Sequence, residues 1–254
     1  MFRTKLVLML TVATTGCATV SVAQVSPPAV AVAVRMDTVP AVPPSVDDAP
    51  MFVLTPLNTR LEISVKRRRL LVIAGRDTLR RARVAVASGR DLSYAGRTWR
   101  FATPRGQLRL KGKRTDPVWV PPDWHYAEVA KQHNLKLAHF HPGVRLRNGD
   151  RLVSRDSVIG VHPKGDTAFL ALPVHEHIVF DATLFIPPIS TLNRRLHGEL
   201  GRYALDLGDG YMLHGSADPS SIGSDTTHGC IRLADGDLTW LYTYVPVGVT
   251  VVVR

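Results

Sequence analysis

From Met51 onward, apolar and polar residues alternate at period two in short β-branched runs: RLEISV, RRLLVIAG, RARVAVASG, YALDLGDGYMLHG and VGVTVVVR. Such alternation, punctuated by glycine and proline, is the mark of half-buried strands. LLVIAGRDTLRRARVAV reads as a hairpin whose turn holds Gly75, Arg76 and Asp77. Helical signals are few. One covers Asp123 to Leu135 (DWHYAEVAKQHNL), with Asp123 as its N-cap, and another is LADGDLTWLYTYV near the C-terminus. These elements predict one mostly β domain over 56–254, a sandwich or barrel-like sheet pair carrying a few short helices. The stretch 138–197 is less regular and reads either as a cap over a groove or as an ordinary insertion.

Before this domain the pattern changes. Residues 1–23 have a basic start at Arg3 and Lys5, an apolar run from Leu6 to Ala13, and then small residues, as a secretory signal has. That run is far short of the about 20 residues that cross a bilayer, so no transmembrane span is expected. Cleavage after Ala23 is favoured over a lipobox-like reading of TTGC that would anchor a lipid at Cys17. Residues 24–55, rich in proline, alanine and valine without amphipathic period, form a linker. The expected location is the periplasm or cell envelope.

Export sharpens the cysteine question. The chain has two cysteines, and removal of the leader with Cys17 leaves Cys230 alone, unable to form an internal disulfide. A spare thiol in an oxidising compartment needs another reason to be there, and thiolate chemistry is one. Removing Arg3 and Lys5 with the leader lowers the formal charge from +11 to +9. Such a chain is drawn to anionic polymers or membrane surfaces, although a solvated basic face such as KRRR at Lys66–Arg69 explains part of it. No aromatics interleave the basic runs, so nucleic acid is not an expected partner.

A cysteine nucleophile needs a base or positive neighbour, and donors for the oxyanion on the attacked carbonyl. If Thr227–Arg232 is extended, His228, Cys230 and Arg232 share one face. Gly229 lets the backbone approach a substrate, which makes the N–H groups near Gly229 and Cys230 natural oxyanion donors. His214 ends a β-like run just before Gly215. Spacing alone leaves open which histidine is the base.

The HG of His214 and Gly215, followed by THGCIR at Thr227–Arg232, resembles the signature of the bacterial L,D-transpeptidases, the YkuD-like cell-wall enzymes. LEISVKRRRLLVIAG resembles the family's first hairpin and FATPRGQLRL its Thr-Pro-x-Gly turn, so the likeness spans roughly Arg60 to Arg254, with Ala138–His197 fitting poorly. Ser216 stands where threonine often follows HG.

The resemblance implies a β-sandwich with a cap and acyl transfer on peptidoglycan stem peptides. By similarity, Cys230 attacks the carbonyl of the third residue of a tetrapeptide stem and releases D-alanine. An amine acceptor (a second stem, a D-amino acid or a wall-anchored protein) then takes the acyl group from the thioester, as in a 3-3 cross-link. His214 is implied as the base, oriented by the Gly215 carbonyl, with His228 as a second catalytic group on the oxyanion side. Arg232 is implied to hold a substrate carboxylate, and Gly215, Gly229 and Thr227 complete the substrate side. No cofactor is implied. Two other readings use the same sequence: an L,D-carboxypeptidase with water as acceptor, and a non-catalytic peptidoglycan-binding module.

Thr103, Pro104 and Gly106 read as a structural turn. Trp119 and Trp124 read as aromatic core, with groove lining as the alternative. HFH (His139, His141) and HEH (His175, His177) each put two imidazoles at strand spacing, but no third and fourth ligand follows. They are expected to be polar surface or cap residues, with no metal.

Overall fold

The computed structural model describes residues 49, 50 and 53–254. The leader, Cys17 and most of the linker lie outside the described residues. The chain begins with β1 (Thr59–Ser64), β2 (Arg69–Ala74) and the long β3 (Asp77–Ala87). Ala74 pairs with Asp77, so the predicted hairpin closes on Gly75 and Arg76 alone, and Asp77 is already a strand residue. Next come β4 (Asp91–Tyr94), β5 (Arg97–Arg100), β6 (Gly106–Arg109), β7 (Gly112–Thr115) and helix α1 (Asp123–Gln132). The middle of the chain holds β8 (Lys136–His139), β9 (Val144–Arg145), β10 (Arg151–Arg155), β11 (Val158–His162), β12 (Leu170–Ala171), β13 (Ile178–Phe180) and β14 (Thr183–Ile186). It ends with β15 (Tyr203–Gly208), β16 (Tyr211–His214), β17 (Asp225–Thr227), β18 (Ile231–Leu233), helix α2 (Asp235–Tyr244) and β19 (Thr250–Val253).

The mostly β class is what forms, with two α-helices among the described residues. The layers belong to one curled ten-stranded sheet, ordered β6-β19-β1-β2-β3-β18-β16-β15-β7, with β17 paired to β3 off this path. Its two halves share β3, whose first residues pair with β2 and whose last pair with β18 and β17. The residues of β3 follow this division. Arg81 and Arg83 are exposed and alternate with buried Ala82, whereas Val84, Ala85 and Val86 are all buried because both faces are covered there. The core under the curl gathers Leu61, Ile63, Leu70, Val72, Val84, Leu213, Ile231, Leu233 and Val251, and α2 adds Leu238, Trp240 and Leu241.

The stretch 138–197, irregular by pattern, is built of short strands. It carries a four-stranded sheet β12-β11-β10-β9 and, with β8, a three-stranded sheet β13-β14-β8. Phe140, Leu152, Ile159 and Phe185 form a second core beneath the former sheet. Strands of two to five residues with glycine and proline between them give too few repeats for the period to show. Helix α1 packs on β14, β8 and β4, burying Tyr126, Val129 and Ala130 against Leu184 and Ile186, and therefore packs with the three-stranded sheet of this segment.

The helix starts differently from the expectation. Asp123 is its first helical residue and Pro122 its N-cap. The Asp123 carboxylate instead receives Arg194 at 2.7 Å and lies 3.1 Å from His139 Nε2, because a guanidinium outcompetes a backbone N–H for a carboxylate. Arg194, 5% exposed, also donates to the carbonyls of Pro121 at 2.9 Å and Pro187 at 2.8 Å, tying the start of α1 to the end of β14.

Candidate active site

The chemistry-bearing residues meet where β16 and β18 run side by side. Their parallel pairing sets Leu213 against Ile231 and His214 against Arg232, so a histidine and an arginine far apart in sequence become register neighbours. Cys230 enters just before β18 as the free cysteine among the described residues.

The run Thr227–Arg232 is not one extended strand, as the alternation argument assumed. β17 pairs parallel to β3 and β18 pairs antiparallel to it, so the chain turns back at His228–Cys230. Gly229 makes the turn with φ of +147°, and a Cβ there would lie 2.9 Å from the Tyr211 ring. Burial nevertheless alternates: Thr227, Gly229, Ile231 and Leu233 are buried, while His228, Cys230 and Arg232 are half-buried.

Thr227 locks the turn from inside. Its hydroxyl donates to the Cys230 carbonyl at 2.6 Å and accepts from the Gly229 N–H at 3.3 Å, and the residue is 1% exposed. Its side chain is therefore spent on the loop, as is the Gly229 N–H. The Cys230 Sγ points toward the Gly210 carbonyl at 3.7 Å. Thr103 supports the same region by accepting the Ala87 N–H at 2.9 Å, in keeping with a structural turn.

His214 is 5% exposed and its Nδ1 closes no hydrogen bond of normal geometry. Burial first, and Arg232 second, push its pKa down to about 4, while the adjacent Gly215 backbone works the other way. Gly215 is fixed in turn. Its N–H donates to the Leu200 carbonyl at 2.8 Å, and an added Cβ would come within 3.0 Å of Asp235 Oδ1 and 3.2 Å of the Gly201 Cα. Ser216 closes the following loop, accepting the Asp218 N–H at 3.0 Å and donating to the Asp218 carbonyl at 2.9 Å.

The thiol is raised above its ordinary value by burial, with lesser opposing pulls from the Met212 backbone and then Arg232. Arg232 is itself lowered by burial and supported by Cys230, Asp218 and Glu199. Burial raises Glu199, against the pull of Arg232. Burial thus disfavours charge on both Cys230 and His214, beside the Arg232 guanidinium. Glu199 and the Leu200–Gly201 backbone were not singled out in the sequence, since only the fold brings ELG against the HG turn.

His228 is held by residues of α1 and by Phe101. Its Nε2 lies 3.1 and 3.3 Å from the two Glu128 carboxylate oxygens. Its ring stacks on Trp124 at 4.0 Å and meets the Phe101 edge at 4.4 Å. Trp124 is half-buried and packs against the small core of Leu92, Phe101 and Ala127, in line with the aromatic-core reading, while its face meets His228. Trp119 lies 6.1 Å from it and 5.0 Å from the His125 ring. Glu128 carried no signal in a single sequence, although its i, i+4 spacing from Trp124 places both on one helix face.

The other histidines do not gather as ligands. His139 joins Asp123, His177 Nε2 lies 3.1 Å from His125 Nε2, and the His175 ring sits 6.0 Å from His197. No three His, Cys, Asp or Glu side chains among the described residues form a metal-holding group.

Residues 58–253 match the family model described as the L,D-transpeptidase catalytic domain, YkuD. Over 52 residues the chain is 42% identical to the probable L,D-transpeptidase YbiS of Escherichia coli strain K12 and 40% identical to the probable L,D-transpeptidase ErfK/SrfK of Salmonella typhimurium. Each match covers 20% of this chain and 17% of the relative's own length. Similar solved structures include an L,D-transpeptidase from Xylanimonas cellulosilytica (TM-score 0.41, 16% identity, 81% of this chain and 63% of that one). Another is L,D-transpeptidase 3 of Mycobacterium tuberculosis in complex with a faropenem-derived adduct (TM-score 0.40, 13% identity, 78% and 60%). With the model matched over most of its length, the chain belongs to the YkuD family of L,D-transpeptidase catalytic domains.

Proposed function

We propose that the protein is a peptidoglycan L,D-transpeptidase of the cell envelope in which Cys230 carries the acyl group. The observation that supports it most is the half-buried thiol on a glycine turn, with His214 and Arg232 set side by side on the strands that flank it. The Cys230 sulfur attacks the carbonyl of the third residue of a tetrapeptide stem. The C–S bond forms to give a tetrahedral oxyanion, which collapses as the C–N bond to D-alanine breaks, and the thiol proton ends on the departing amine. In the second half an amine attacks the thioester, the new C–N bond replaces C–S, and an amine proton returns to sulfur.

His214, neutral at working pH, takes the proton during attack; its depressed basicity and the raised thiol make this transfer concerted with C–S formation instead of a preformed ion pair. The Gly229 N–H is engaged with Thr227, so oxyanion stabilisation falls to the backbone N–H of Cys230. Arg232 holds the substrate carboxylate, a task that its forked donors suit. Gly215 and Gly229 keep the backbone close to the substrate. Thr227 serves the substrate side indirectly, by setting the turn.

The test is product identity. Incubation with disaccharide-tetrapeptide, alone and with a D-amino acid, is expected to release D-alanine and give dimer or exchanged stem by mass spectrometry. Free tripeptide would show a carboxypeptidase. Unchanged substrate with folded protein would sink both catalytic readings and leave a binding module.

A further inference from the structure

We propose that Glu128, on helix α1, is a positioning residue for acyl transfer that acts through His228, forming a carboxylate–imidazole couple at the rim of the Cys230 turn. This rests on the reading of Cys230 as the nucleophile and adds a part to it. Three observations converge on the His228 ring. Both Glu128 carboxylate oxygens lie within 3.3 Å of Nε2. Trp124, four residues before Glu128, stacks on the ring at 4.0 Å with planes 16° apart. Phe101 closes a third side, edge-on at 4.4 Å. One helix face thus supplies both a charge and a stacking surface to a single imidazole.

The platform is firm. Arg194 pins the start of α1 through Pro121, Pro187 and Asp123, and Ala127 packs with Leu92 and Phe101 beneath it. The charged surroundings are simple. Glu128 faces His228 from α1, and the other group of that helix acting on it is His125, pushed down to about 3 by burial and by His177 and so uncharged at working pH. Phe101 and Trp124 carry no charge. Hydrogen bonding to His228 holds the Glu128 carboxyl below its ordinary range, so it is ionised there.

The consequence is chemical. A carboxylate at Nε2 fixes the hydrogen on that nitrogen in the neutral ring, and it stabilises the imidazolium whenever the ring is charged. His214 is a weak proton acceptor and the thiol is raised, so the site lacks a preformed ion pair. Whenever its ring is protonated, His228, two residues from the thiol and backed by Glu128, opposes the negative charge that develops on sulfur and then on the carbonyl oxygen.

The experiment compares the wild type, Glu128→Gln, Glu128→Asp, His228→Gln and the double variant Glu128→Gln/His228→Gln. Each is read twice: by the pH profile of Cys230 alkylation with iodoacetamide, and by turnover of disaccharide-tetrapeptide. Glu128→Gln keeps the shape and one hydrogen bond, so it tests charge without emptying the site. It is expected to move the alkylation inflection upward and to lower kcat about 10- to 100-fold with KM within about twofold. Glu128→Asp should restore part of the loss, and Glu128→Gln should add nothing in the His228→Gln background. An unmoved inflection overturns the proposal whatever happens to kcat, because a mere strap would not alter a titration. An equal further loss in the His228→Gln background also overturns it. Should the wild type leave the stem peptide untouched, the transpeptidase reading fails, while alkylation still decides the role of Glu128.

Discussion

At the scale of single residues, the reactive turn depends on Gly229 and Thr227. Gly229 combines a left-handed φ with an approach to Tyr211 that no side chain fits, so Gly229→Ala is expected to cost at least tenfold in activity while circular dichroism stays native. Two histidines with depressed pKa, His214 and His125, make stability pH-dependent. His214 and His125 are held at about 4 and about 3, below the ordinary value near 6.5, so the unfolded chain takes up protons first as pH falls. Their contribution is complete above about 6.5 and is lost on acidification, each by up to about 1.4 kcal/mol per pH unit. Urea midpoints should therefore drop from pH 7 to pH 5, and His214→Gln should flatten the drop; a pH-independent midpoint would refute the assignment. Cys230, His214 and Arg232 could be singled out as candidates because HG and THGCIR are local strings. Glu128 and Glu199 were not, because what each faces is decided a hundred residues or thirty residues away along the chain.

At the scale of elements, α1 links the cap to the site. Arg194 is the residue to test, since its guanidinium satisfies two carbonyls and a carboxylate while nearly fully buried. Arg194→Met leaves those acceptors unpaired and is expected to cost on the order of 3 kcal/mol, read as a lowered urea midpoint. The same variant should reduce turnover in the folded protein, because Trp124 and Glu128 ride on this helix. Both helices were visible in the sequence as runs, but not the capping of α1, where Asp123 serves Arg194 and His139 instead of the backbone. The turn within THGCIR was hidden for a different reason. Burial alternates through Thr227–Leu233 even though the strand is broken, so period two gave the right inside and outside with the wrong path.

At the scale of the molecule, β3 is the shared seam that turns one sheet into two layers, and the cap adds two small sheets with their own core. Class and main strands could be read from alternation in strands of four or more residues. The cap could not, because strands as short as Val144–Arg145 and Leu170–Ala171 hold no period. The formal charge of +11 has a local expression on the outer face of the first strands, where Arg67, Arg69, Arg81 and Arg254 line a shallow depression. Retention of the protein on isolated peptidoglycan is expected to weaken as salt is raised, measured by co-sedimentation; salt-independent retention would locate the affinity in the groove instead. The central claim is that Cys230 carries the acyl group. Its most direct test is the intact mass of the protein after acid quench of a reaction with tetrapeptide stem and no added acceptor. A mass gain equal to the stem less D-alanine is expected, mapped to the Cys230 peptide and missing from Cys230→Ala. Release of D-alanine by Cys230→Ala, or an adduct on another residue, would contradict it.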